Sequence, residues 1–114
     1  MAARGIVGVA LAGLVLAGCG GGSEVTDPGA QVFEAQGCGG CHTLEAADSS
    51  GAVGPDLDEA LARQAPASIR ESIVDPAARI ASGFPDVMPK VYGEQLTDRQ
   101  LQQLVAFLAG STGG

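Results

Sequence analysis

The sequence predicts an all-α fold, four to five short helices around a bound group, and three observations carry that expectation. Two segments open with strong helix-start signals, Asp27-Pro28 near the front and Thr97-Asp98-Arg99-Gln100 near the end. The second leads into Leu101, Leu104, Val105 and Leu108, one apolar stripe at helical spacing, and no segment shows the apolar–polar alternation of a half-buried strand. A bound group is expected because 114 residues with one Tyr, three Phe and no Trp bury little apolar surface. Chains this small usually need a covalent or bound staple.

Residues 1–18 come first and read as an export signal. Arg4 supplies a short basic start, and the apolar run from Ile6 to Ala17 is too brief for a bilayer-spanning helix, which takes about 20 residues. Leu16-Ala17-Gly18-Cys19 resembles the lipobox of bacterial lipoproteins. The resemblance implies that the Cys19 sulfur receives a diacylglyceryl group and that the chain is cut just before it. Residues 19–26, with Gly20-Gly21-Gly22-Ser23, then form a flexible tether, and a single domain fills 27–114. Two acyl chains give lasting membrane attachment where a single chain is marginal. The expected location is therefore the outer face of the cytoplasmic membrane, on the periplasmic side.

In the first helix Asp27 is the N-cap and Pro28 takes N1, where its missing N–H costs nothing. Gly29, Val32, Phe33 and Ala35 follow, and Gly37 releases the chain. Leu57 to Ala65 and Pro66 to Val74 read as two short helices. The second buries Ile69 and Ile73 and is closed by Asp75-Pro76, and a short helical turn over Pro76–Ser82 is expected after it. At the far end Thr97 and Gln100 form a capping box, with Leu96 and Leu101 as its hydrophobic staple, and Gly110 ends the helix.

Between the first two helices stands Cys38-Gly39-Gly40-Cys41-His42, which contains the only histidine of the chain. Three chemistries use such a motif. Structural zinc wants four ligands, usually from two clusters, and no second cluster exists here. A thioredoxin-like thiol switch wants flanking strands, which the pattern does not offer. C-x-x-C-H is also the attachment signature of c-type haem. The two thiols form thioethers with the haem vinyl groups and the next imidazole falls beneath the iron. Glycines at 39 and 40 keep side chains clear of the ring.

A haem held in this way needs a sixth ligand, and with His42 used the suitable side chains are Met88 and, less favoured, Lys90. Met88 lies in a Pro- and Gly-punctuated stretch between Pro85 and Pro89, a loop rather than a helical face. Gly54-Pro55-Asp56-Leu57 offers a prolyl carbonyl that can accept the His42 Nδ1–H and so leave Nε2 for the metal. The alternative, less favoured, is a simple turn into a helix. Tyr92, Arg63 and Arg79 are candidates for the haem carboxylates, and spacing selects none of them.

The net charge of −7, or −8 once the segment bearing Arg4 is removed, sets the choice of partners. No cluster of Lys and Arg is present to replace phosphate counterions, so nucleic acid is excluded. An acidic surface serves solubility and also suits docking on a basic patch of a redox partner.

Together these stretches resemble class I c-type cytochromes, small single-haem electron carriers, from about Asp27 to Gly110. The likeness is closest to the cytochrome c modules of haem–copper oxidase subunit II, through "DPGAQVFEAQGCGGCHTL", "GPDL", "SIVDPAARIASGFPDVMP" and "LTDRQLQQLVAFL". Those modules are fused to a copper-binding domain and membrane helices, which have no counterpart in these 114 residues. The resemblance implies one haem c, with His42 as proximal ligand, Met88 as distal ligand, Pro55 as acceptor for His42 and Leu57 packed at the haem edge. It also implies a crossing of first and last helices at Gly29 and Phe107. The expected function is one-electron transfer without catalysis, between a quinol-oxidising complex (a quinol–cytochrome c reductase) and a terminal oxidase. The alternatives are a fixed haem subunit of a larger oxidoreductase, a ligand-sensing haem protein and a thiol oxidoreductase.

Overall fold

The computed structural model describes residues 26–112 and the isolated Gly13. The expected signal segment, Cys19 and nearly all of its tether lie outside the described residues. In chain order the elements are helix α1 (Pro28–Ala35), strands β1 (Thr43–Leu44) and β2 (Ser49–Ser50), and helices α2 (Leu57–Ala60), α3 (Pro66–Val74), α4 (Tyr92–Gln95) and α5 (Asp98–Ser111). Short 3-10 turns occupy Cys38–Gly40 and Glu45–Ala47.

The local signals at both ends act as the residue types dictate. Asp27 Oδ1 accepts from the N–H groups of Gly29 and Ala30 at 2.8 and 3.2 Å, and Pro28 holds N1. At α5 the capping box is closed in both directions, with Gln100 N–H on Thr97 Oγ1 and Thr97 N–H on Gln100 Oε1. Leu96 and Leu101, the staple residues, are both buried.

The frame is a crossing of α1 and α5, with α3 packed on α5. A side chain is forbidden where the two helices cross: a Cβ on Gly29 would stand 2.5 Å from Phe107 Cβ and closer still to the Gln103 carbonyl. Phe33 then meets Phe107 edge to face, with ring centroids 6.0 Å apart and planes at 66°. Such a pair adds about 0.5–1.5 kcal/mol beyond the area it buries. The stripe Leu101, Leu104, Val105 and Leu108 is buried in full, with Phe33, Ile69, Ile73 and Leu44 opposite.

Four sequence expectations are corrected. The helix expected over Leu57–Ala65 stops at Ala60, because Ala65 must be extended (φ −67°, ψ 152°) ahead of Pro66. The Gln64 side-chain amide donates to the Ala60 carbonyl left without a helical partner, at 2.9 Å. No helical turn forms over Pro76–Ser82; Ala78 N–H to Asp75 O and Phe84 N–H to Ala81 O close only single turns there. Gly110 does not end α5, which continues to Ser111 while Ser111 and Thr112 hydroxyls donate back to the Phe107 and Leu108 carbonyls. Finally, a two-stranded antiparallel hairpin is present, pairing Thr43 with Ser50 and Leu44 with Ser49. Its strands are too short to register as alternation.

Candidate functional site

The helical frame leaves an apolar cavity of about 550 Å³ beneath the core. Its inner wall is made of core side chains, Phe33, Leu61, Ile69, Ile73, Leu104 and Leu108. Cys38, Cys41, His42, Pro55, Leu57 and Met88 are all on its lining.

One wall is built from the turn after α1. Gly37, in the left-handed region at φ 71°, reverses the chain out of the helix, and the Cys38–Gly40 turn places both thiols and the imidazole in succession. Burial pushes the Cys38 thiol above its ordinary range, its backbone hydrogen bond acts the other way, and the Cys41 charge adds to the rise. Cys41 is exposed.

His42 is fixed by the segment that follows the hairpin. Its Nδ1 lies 2.7 Å from the Pro55 carbonyl oxygen. A carbonyl only accepts, so the neutral ring carries its proton on Nδ1 and keeps the Nε2 lone pair free. Gly54 makes this approach possible: a Cβ there would come 2.5 Å from His42 Cε1 and 2.9 Å from Nδ1. Gly54 is a functional position that the sequence reading passed over inside the Gly-Pro-Asp-Leu motif. The role given to Gly39 also changes. A side chain on it would meet Ser49 Cβ of the hairpin at 2.7 Å, so its smallness serves β2, while Gly40 faces open space.

The opposite wall is the segment from Pro76 to Val91. Met88 stands on it in irregular backbone, as its prolines indicated. Ile80, Phe84 and Val87 line the cavity from this strap and yet remain exposed, as does Val53 beside Gly54. Large apolar side chains turned toward an open cavity are what a large apolar ligand would cover. Sequence reasoning missed these residues because, without helical or strand period, an apolar residue between turn signals reads only as loop. Lys90, the other candidate ligand, is off the lining and holds Asp86 Oδ1 at 2.9 Å. Arg63 is exposed and off the lining as well, whereas Tyr92 and Arg79 are on it.

The residues present fit a haem. Two thiols, an oriented imidazole and a thioether sulfur share one apolar cavity, and a glycine stands where a side chain would displace the ring. Among the described residues no group of three or more His, Cys, Asp or Glu side chains is placed to hold a metal ion. Nor is any helix there long and apolar enough to cross a membrane.

Comparison with curated proteins and with solved structures gives no match. Comparison with family models matches residues 26–112, nearly all of the described chain, to Cytochrome c. That family consists of electron-transfer proteins whose haem c is bound covalently, and the chain, matched over nearly all of its described residues, belongs to the cytochrome c family.

Proposed function

We propose that the chain is a membrane-tethered one-electron carrier in which Cys38 and Cys41 would hold haem c through thioethers and His42 and Met88 would ligate its iron. When bound, the haem supplies one-electron exchange between ferrous and ferric iron. The observation that carries this reading is the lining of one cavity by His42 and Met88, with the Pro55 carbonyl 2.7 Å from His42 Nδ1.

The chain's own residues do four things. Cys38 and Cys41 supply the sulfurs for attachment. Pro55 holds the His42 tautomer and ring angle, and an imidazole that donates to a carbonyl is a more basic ligand. The Met88 thioether, a soft and weakly basic donor, favours the reduced state and closes the position at which a small molecule would otherwise bind. The core residues and the strap's Ile80, Phe84 and Val87 exclude water and lower the local dielectric, which also tunes the potential.

Export, the lipid on Cys19 and a place between a quinol-oxidising complex and a terminal oxidase belong to the same proposal. They are supported by the signal-like residues 1–18, the lipobox-like Leu16–Cys19 and the likeness to oxidase subunit II modules. The acidic surface, at net charge −7, suits partners with a basic docking patch, met through small, transient contacts.

The reading is tested by the reduced-minus-oxidised visible spectrum and the mass of the purified protein. A c-type spectrum with one haem added to the chain mass is expected, and a haem-free protein with two titratable thiols overturns it. Met88→Ala should keep the haem attached while losing the weak far-red sulfur–iron band and lowering the midpoint potential; survival of that band removes Met88 from the ligand set. A purified monomer that exchanges electrons on its own is a carrier, whereas obligate co-purification with a larger oxidoreductase makes it a fixed subunit.

A further inference from the structure

The side chain with the most exacting position in the proposed site stands on the part of the fold least able to hold it. Among the described residues from Ala77 to Val91, Met88 alone is not exposed. From residue 81 to residue 90 the backbone closes two turn bonds, Phe84 N–H to Ala81 O and Val87 N–H to Pro85 O, and both lie ahead of Met88. Pro89 has no N–H to give, and its ring biases Met88 toward extended backbone.

One contact reaches across the methionine. Lys90 Nζ lies 2.9 Å from Asp86 Oδ1, so these two side chains close a loop of chain with Met88 at its centre. On a helix the same i,i+4 spacing would add to a closure that backbone bonds already make. Here the backbone from Asp86 to Lys90 is irregular, and the ion pair joins the two sides of the bend. It also sorts the side chains. Met88 and Asp86 are on the cavity lining, and Lys90 is held off it.

On the haem-carrier reading, with Met88 as a ligand, we propose that Asp86 and Lys90 are positioning residues, a surface clip that keeps the Met88 thioether in place for the iron. Neither touches the reacting atoms; both act through the bend that carries Met88. Their side chains are about half exposed, 42% for Asp86 and 52% for Lys90, and such a pair is weak and screened by salt. The clip is therefore a small bias on whether the Met88 position is closed or open, and not a condition for folding. The bland alternative is a solvated pair that leaves Met88 where its prolines put it. The two differ in sign. Loss of a clip opens the position whichever partner is removed, whereas two independent charges shift an equilibrium in opposite directions or not at all.

The experiment titrates the ferric holoprotein at neutral pH with imidazole, a neutral ligand that competes with Met88 for the iron. Binding is followed by loss of the far-red sulfur–iron band, at low ionic strength and again in about 1 M salt, where charges are screened within ~3 Å. Asp86→Asn and Lys90→Gln should each tighten imidazole binding by roughly two- to fivefold at low salt, the range open to an exposed ion pair. The exchange variant, Asp86→Lys with Lys90→Asp, should bring the affinity back toward the wild-type value. In high salt the variants and the wild type should converge. Shifts of opposite sign, no shift, an exchange variant no better than the single ones, or a difference that survives high salt overturns the proposal. If one single variant yields no holoprotein, the other and the exchange variant decide by the same criteria. The ligation reading fails separately, through survival of the far-red band in Met88→Ala.

Discussion

At the scale of single residues, the site depends on one close approach. Gly54 lets the backbone ride against the His42 ring while Pro55 O takes the Nδ1 proton. Gly54→Ala forces the ring to shift, and overpacking of this kind costs about 1–3 kcal/mol. A lower yield of holoprotein and a lower melting temperature are expected, read by absorbance and thermal unfolding; a variant that matures and melts like wild type would show that the ring has room.

Tyr92 gives a pH test at the same scale. Burial raises its hydroxyl pKa above the ordinary tyrosine range, with the Cys38 and Cys41 charges adding to it before attachment. Because it is the only tyrosine, its ionisation is read directly from ultraviolet difference absorbance. A folded pKa above the unfolded one means the folded state holds the proton longer. Its contribution to stability is complete below the unfolded value and is lost as the pH rises through the folded one. Phenolate should therefore form at higher pH in the folded protein than in denaturant, and the reverse order would contradict the burial.

At the scale of elements, two substitutions of the same type should act in opposite directions. Gly29→Ala drives a Cβ into Phe107 and the Gln103 carbonyl and pries α1 from α5, at a cost of about 1–3 kcal/mol. Gly110→Ala has open space around it and lies inside α5, where the exchange gains up to about 1 kcal/mol of helix propensity. Each kcal/mol moves the melting temperature by roughly 4–8 °C in a domain of this size, so calorimetry of the two variants separates them.

The contrast also shows what was legible beforehand. The starts of α1 and α5, the stripe of α5 and the whole of α3 are written in local chemistry, in Asp27-Pro28, Thr97 with Gln100, and Pro66 ahead of Ile69 and Ile73. The cavity-lining candidates Cys38, Cys41, His42, Pro55 and Met88 were legible from motifs and their order, Leu57 only through the family resemblance, and they meet on one cavity. Helix ends were not legible where they depend on a side chain reaching back, as Gln64 does to Ala60 and Thr112 to Leu108. Helix α4 is four residues without a side-chain cap, and the hairpin strands have two residues each. Neither is long enough to leave a period. Gly54, Ile80, Phe84 and Val87 escaped because their role is defined by a cavity that belongs to no single segment.

At the scale of the whole molecule, a helical frame holds one wall of the cavity and a strap the other. The proposed anchor tests the molecule as a unit. Cys19→Ala should move the protein from the membrane fraction to the soluble fraction with its spectrum unchanged; continued pelleting with membranes would remove the lipid from the proposal. The strap is tied to the helices by little beyond the Arg79–Glu71 pair among its side-chain polar contacts in the described residues, and its apolar side chains face the cavity.

That division has a consequence for reversibility. On the proposed ligation, Cys38 and Cys41 make a commitment entered once in the lifetime of each molecule, since thioethers do not come apart under physiological conditions. The wall that carries Met88 would meet the haem through a coordination bond and noncovalent contacts, which can reform after they break. Damage to the strap is therefore repairable, because the molecule keeps its haem and waits for the segment to return. Damage at Cys38–His42 during assembly is final, and leaves a chain with nothing to carry.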